Sequence, residues 1–221
     1  MQFNETILKR KSTRAFLNKA VEKDKIQYIL DLARHAPSGV NTQPWQVAVV
    51  SGDKKTQLDQ LLEQAFRSGR KASLDYQYYP QKWKEPYKSR RKACGLKMYS
   101  TLAIKREDKQ RQIDQWAANY RAFDAPVALF FFVDAMAEKG SFLDYGMFLQ
   151  SVMLAAVEQG LATCPQAALA EYPDIVKTAL NYDKDLVLIC GMALGYEDKD
   201  ALVNSYRTER EEYTSFTRFY D

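Results

Sequence analysis

Between positions 33 and 45 this chain reads ARHAPSGVNTQPW, and that stretch leaves few folds open. Ile26, Ile29, Leu30 and Ala33 lead into it at helical spacing. Pro37 lacks a backbone N–H and pushes the residue before it out of the helical region. The helix, begun at Lys25 behind an Asp24 N-cap, is therefore expected to end near His35 or Ala36. Ser38, Gly39 and Asn41 tolerate tight or left-handed backbone and carry short hydrogen-bonding groups. Gln43, Pro44 and Trp45 then open a strand over 45–51 through Val47, Ala48, Val49 and Val50. Together these make a shelf on which side-chain and backbone amides can read a flat polar ligand.

The rest of the chain repeats the alternation. Asp53 is expected to cap a helix to about Arg67, with Leu58, Leu61, Leu62 and Ala65 on its inner stripe. A helix over 109–122 precedes VALFFFV at 127–133, a continuous apolar run that predicts a buried strand. After a turn at Lys139 and Gly140, the helix predicted over 141–159 is apolar on nearly every face. A helix of that kind must be covered all round, and self-association covers it most readily, so a homodimer is expected. Gly160 ends that helix as a C′ glycine. Residues 163–166 read as a connector, 173–180 as a short helix and DLVLICGM at 185–192 as a third buried strand. Strands alternating with helices indicate an α/β (α+β) layered fold. With 46% hydrophobic residues in 221, the chain can build one sizeable core, so 1–221 is expected as a single domain.

One segment breaks the pattern. From 68 to 112 periodicity is lost, and 76–99 interleaves six tyrosines or tryptophans with lysine and arginine. The net charge is only +4, yet 82–106 holds nine Lys or Arg against one acid, Glu85. Long excursions of this kind serve as lids or binding loops, and two short helices joined by an aromatic loop are expected here. Tyr79, Trp83 and Tyr87 offer stacking surface for a flat acceptor, and Arg90 and Arg91 offer charge for an anionic one. An RNA-binding surface is the competing reading, since aromatics stack on bases while Lys and Arg meet phosphates; no nucleic-acid partner is expected. His35 is the only histidine, which disfavours metal chemistry and a Ser-His triad. The three cysteines are odd in number and widely spaced, and the N-terminus carries no apolar signal core. A cytoplasmic protein without a membrane segment is therefore expected.

The motif APSGVNTQPW, with Arg10-Lys11-Ser12-Thr13-Arg14 upstream, resembles the signature of the FMN-dependent nitroreductase family. NSYRTER near the C-terminus resembles that family's phosphate-contacting segment. The resemblance implies the nitroreductase-like three-layer fold, a central mixed sheet flanked by helices with a lid insertion at about 68–112. It implies FMN as cofactor, with Arg10, Lys11, Ser12, Arg207 and Arg210 at the phosphate and Arg14 at the N1–C2=O edge of the flavin. Pro37, Ser38, Gly39, Asn41, Gln43 and Asn119 would line the ring, and Pro165, Gln166 and Ala167 would cover it. TCPQAAL departs from the family pattern there, with Ala167 and Ala168 where some relatives carry an acid and a glycine. The chain has no GxGxxG fingerprint, so NAD(P)H would enter as a substrate, reduce the flavin and leave before a nitroaromatic, quinone or similar acceptor binds. No dedicated catalytic residue is then needed, because the cofactor carries the hydride chemistry. Relatives that fragment flavin or dehalogenate aromatics, and a flavin binder without turnover, are the alternatives within the fold.

Overall fold

The computed structural model describes residues 2–221. Its strands are β1 (Gln46–Ser51), β2 (Val127–Val133), β3 (Ala162–Gln166) and β4 (Val187–Gly195). They form one sheet in the order β1-β2-β4-β3. Its helices are α1 (Phe3–Lys9), α2 (Lys23–Ala33), α3 (Gly52–Arg67), α4 (Tyr87–Thr101), α5 (Lys109–Ala117), α6 (Lys139–Glu158) and α7 (Pro173–Leu180). Every ladder among the described residues is antiparallel; parallel pairing enters as a single bridge, Ser12 to Thr163.

β2 is buried at every position because its alternating side chains feed two cores. Ala128, Phe130 and Phe132 pack with Leu58, Leu62 and Val176 from α3 and α7. Val127, Leu129, Phe131 and Val133 pack with Ile29, Phe148 and Val152 from α2 and α6. These are the three layers that the family resemblance implies.

Several boundaries differ from the sequence reading. α2 begins two residues early, with extended Glu22 as its N-cap, so Asp24 lies in the first turn. α6 runs straight through Lys139 and Gly140 from an N-cap at Glu138, where a turn is expected from sequence. Gly160 does take the left-handed φ of 71° that ends α6. β3 replaces the expected connector. It is a short edge strand, and an edge tolerates Pro165, which has no N–H to donate to a ladder. The helix expected to 122 stops at Ala117, because Ala122 and Phe123 adopt left-handed φ in the 3-10 segment that follows. In the excursion, Tyr76, Tyr78, Tyr79 and Trp83 precede a 15-residue helix, α4, which itself carries Tyr87 and Tyr99 and has no buried residue.

α3 turns its face slightly from the expected stripe. Leu61 is exposed, and Lys55 is buried instead. Lys55 Nζ donates to Asp59 Oδ2 at 2.5 Å and to Arg121 O at 3.1 Å. Burial outweighs the Lys55 charge and pushes the Asp59 carboxyl up to about 6. The folded chain then holds a proton between about pH 4 and 6 that the unfolded chain has lost, so this site favours folding less as pH rises through that window. Asp59→Asn removes the titration. The Tm advantage of the wild type over Asp59→Asn should shrink from pH 4 toward pH 6 in paired melts.

α6 has the length and composition of a membrane span, yet it packs Tyr145, Phe148, Val152 and Ala156 onto the sheet. Its other face carries Leu143, 72% exposed, with Met147 also exposed and Gln150 and Leu154 half-buried. Gln150 meets Ile7 and Leu8 of α1 across a cleft, while Leu143 and Met147 face solvent.

Candidate functional site

The N-terminal cluster is held open by the C-terminal segment. Arg207 donates from one nitrogen to Leu8 O and from the other to Arg10 O at 2.6 Å, satisfying carbonyls that the end of α1 leaves free. Beyond α1 the chain is extended, with Ser12 bridged to Thr163 and Thr13 N donating to Thr163 O at 3.0 Å. Asn204, nearly fully buried, clasps the far side. Its Oδ1 accepts from Arg14 N at 2.8 Å, and its Nδ2 donates to Ala15 O at 2.9 Å and Asp198 O at 2.8 Å.

Extended backbone points successive side chains to opposite sides. Arg10, Ser12 and Arg14, with Lys11 at the edge, line a cleft of ≈ 580 Å³ to which Arg207, Arg210, Tyr206, Gln150 and Cys94 also contribute. No carboxylate pairs with any of these four arginines among the described residues. Burial first, and then the Arg210 and Arg207 charges, lower the pKa of Arg10. Guanidiniums gathered without a counter-charge make a cup for a strong anion, and their planar forks match phosphate oxygens. Lys11 is engaged differently: its Nζ lies 2.6 Å from Glu197 Oε1 and 2.6 Å from Asn204 O, so it braces the wall of the cup.

β3 leads from this cup to a second feature. Gln166 lies three residues beyond Thr163, roughly 10 Å along the strand. Its Nε2 donates to Asn119 O at 2.9 Å and to Asn119 Oδ1 at 3.3 Å. Gln166 Oε1 is buried and has no donor among the described residues. A buried acceptor left open in this way fits a ligand N–H. Pro165 and Ala167 flank it. The two buried thiols nearby are inert: burial pushes Cys164 up to about 11 and Cys190 up to about 12, whereas Cys94 is exposed.

The 37–43 turn stands elsewhere. Gly39 N donates to Asp144 Oδ2 at 3.2 Å in the first half of α6, Gln43 N donates to Ser38 Oγ at 2.9 Å, and Gln43 Nε2 to Asn41 O at 3.2 Å. Val40, Asn41 and Gln43 all adopt left-handed φ, a strained choice for β-branched Val40, which is 97% exposed. None of Pro37, Ser38, Gly39, Asn41 or Gln43 lines the arginine cup of its own chain. The lid residues are also outside it. Tyr79 and Trp83 meet at a tilt, 5.9 Å between ring centres, Arg91 lies over Trp83, and Arg90 lies over Tyr87 and pairs with Glu211 at 3.0 Å. α4 reaches the cup through Cys94. Sequence reasoning missed Asn204, Tyr206, Gln150 and Cys94, although Asn204 and Tyr206 lie within the NSYRTER segment.

The nitroreductase family profile matches residues 7–196. A 4-nitrobenzoate reductase from Pseudomonas putida is 37% identical over 98% of this chain and 95% of its own length. Among solved structures, an FMN and NADPH-dependent nitroreductase NfnB from Sphigopyxis sp. strain HMH superimposes with a TM-score of 0.97 at 36% identity, covering both chains completely. The FMN-dependent NfnB from Mycobacterium smegmatis, solved in complex with NADPH, gives 0.94 at 32% identity over 99% of this chain and 97% of that one. The chain belongs to the nitroreductase family.

Proposed function

We propose that this chain is an FMN-dependent oxidoreductase that takes hydride from NADPH or NADH and reduces nitroaromatics and similar flat acceptors. The observation that carries the reading is the cup of four unpaired arginines, joined by β3 to the open acceptor of Gln166. FMN, when bound, would supply the two-electron redox chemistry that links the nicotinamide to the acceptor. The protein's residues bind and orient. Arg10, Ser12, Arg207 and Arg210 hold the phosphate, with Lys11 as brace. Arg14 presents fixed positive charge to the ring's pyrimidine side, where reduction builds negative charge. Asn119 fixes the rotamer of Gln166, whose Oε1 would be the acceptor offered to the ring, with Pro165 and Ala167 on either side of it.

The 37–43 turn reaches a cup in this reading through a second copy. α6 carries both Asp144, which anchors the turn, and Gln150, which lines the cup. A two-fold contact through the exposed Leu143 and Met147 stripe sets the turn of one chain against the cup of the other. Exposed Phe216, Phe219 and Tyr220 in the C-terminal segment add apolar surface for the same homodimer. Three cysteines free of disulfides suit the reducing cytoplasm.

Absorbance of the purified protein tests this. Flavin bands at one FMN per chain, bleached by NADPH and restored by a nitroaromatic, are expected. A colourless protein that FMN does not reconstitute would overturn the assignment.

A further inference from the structure

The excursion carries a run of aromatic contacts that the two cores do not require. Tyr76 donates its hydroxyl to Ile189 O at 2.8 Å and packs against Phe142 at 4.9 Å and Tyr78 at 6.0 Å between ring centres. Tyr78 meets Tyr79 edge-on at 4.6 Å, and Tyr79 lies 5.9 Å from Trp83. The Arg91 guanidinium stands 5.3 Å from the Trp83 ring and closes the run. One end of the run is fixed on α6, at Phe142. The other end is fixed beside the arginine cup. Arg91 and Cys94 are three residues apart on α4, so they share a face about 4.5 Å apart along the axis, and Cys94 lines the cup. Tyr78 is 44% exposed and Tyr79 53%, so the run presents aromatic surface to solvent beside the cup.

The two arginines on this surface are not equivalent. Arg90 is already paired with Glu211. Arg91 has neither an ion pair nor a hydrogen bond from its side chain among the described residues; its guanidinium stands 5.3 Å from the Trp83 ring centre. A guanidinium beside an indole and without an anionic partner keeps its N–H groups available, and its planar fork suits a carboxylate better than a mobile ammonium would.

We propose that Tyr78, Tyr79, Trp83 and Arg91 form a subsite for aromatic acceptors that carry a ring carboxylate. The ring packs on the tyrosine and tryptophan surface, and the carboxylate takes the open edge of Arg91. The inference rests on the oxidoreductase reading above and names the acceptor class of that site. Arg91 touches the substituent and not the reacting group, so its effect falls on capture rather than on the redox step.

4-Nitrobenzoate and nitrobenzene differ only in the carboxylate and make the test pair. In the FMN-loaded protein, Arg91→Gln should lower kcat/KM for 4-nitrobenzoate about tenfold, mainly through KM, the size of one lost charge-assisted hydrogen bond. Nitrobenzene turnover and the KM for NADPH should not change. Arg91→Lys should recover part of the loss, and Arg90→Gln should leave the ratio of the two substrates alone. Equal losses on both substrates, or no loss on either, would overturn the subsite. So would a raised KM for NADPH with the ratio intact, which would assign Arg91 to a dinucleotide phosphate. Benzoate, which cannot be reduced, gives a second readout: calorimetry should show it binding the FMN-loaded wild type and binding Arg91→Gln more weakly. Arg91-dependent benzoate binding without nitro reduction would sink the enzymatic reading and leave the subsite standing. Turnover with a ratio insensitive to Arg91 would do the reverse.

Discussion

Arg10→Ala should weaken FMN binding about 100-fold while leaving the apoprotein at least as stable as the wild type. The two effects have one cause. Arg10 is half-buried against Arg207 and Arg210 with no carboxylate to offset it, so without an anion it is a cost to the fold. With a phosphate in the cup, it supplies charge-assisted hydrogen bonds worth about 1.5–3 kcal/mol. Fluorescence titration with FMN measures the first effect, and melting of the flavin-free protein the second. A destabilised apoprotein with unchanged FMN affinity would make Arg10 a structural cap on α1 and move the phosphate elsewhere. Lys11→Ala is the informative contrast. Its ammonium already pairs with Glu197, so its loss should reduce stability more than affinity.

Gly191→Ala is expected to lower both stability and flavin affinity. A Cβ at Gly191 would lie 2.5 Å from Leu169 Cδ1 and 2.6 Å from Leu169 Cβ. The second contact is close to the backbone, and Leu169 is fully buried, so rotating its side chain does not relieve the clash. Over-packing of this kind costs about 1–3 kcal/mol, several degrees of Tm in a chain of this size. The strain has a direction. Leu169 lies in the 3-10 turn Ala168–Ala170, immediately after Pro165, Gln166 and Ala167, and Gly191 is itself the ladder partner of Gln166. Pushing that turn away from β4 shifts the segment assigned to the ring. Wild-type Tm and FMN affinity in Gly191→Ala would show that the turn yields freely and that its position is not held by β4.

What the sequence discloses and what it hides divide along physical lines. Residues 127–133 and 173–180 stand where the sequence reading puts them, because a continuous apolar run and a proline-initiated amphipathic turn are local signals. The chemistry-bearing motifs are equally legible, since Arg10, Ser12 and Arg14 are adjacent and their alternation follows from extended backbone. β3 is not legible. Five residues containing a proline carry no periodicity, and the strand exists because β4 offers it an edge. The Lys55 and Asp59 pair is hidden for a related reason: a helical stripe predicts which side is buried but not that a lysine there will find a carboxylate and the Arg121 carbonyl. Asn204 is the clearest case. Nothing local marks an asparagine near the C-terminus as the clasp of an N-terminal cluster 190 residues away. The turn at 37–43 is legible as a turn, but its distance from the arginine cup depends on how α6 packs, which the motif does not encode.

Cys94 gives the molecule a built-in address for chemistry from outside. The other two thiols are buried and held protonated, so a maleimide dye will mark one position per chain without any cysteine being replaced. That position lies on an exposed helix and on the wall of the cup. A fluorophore there would sit close enough to a bound isoalloxazine for energy transfer, turning occupancy of the cup into an optical signal read in real time.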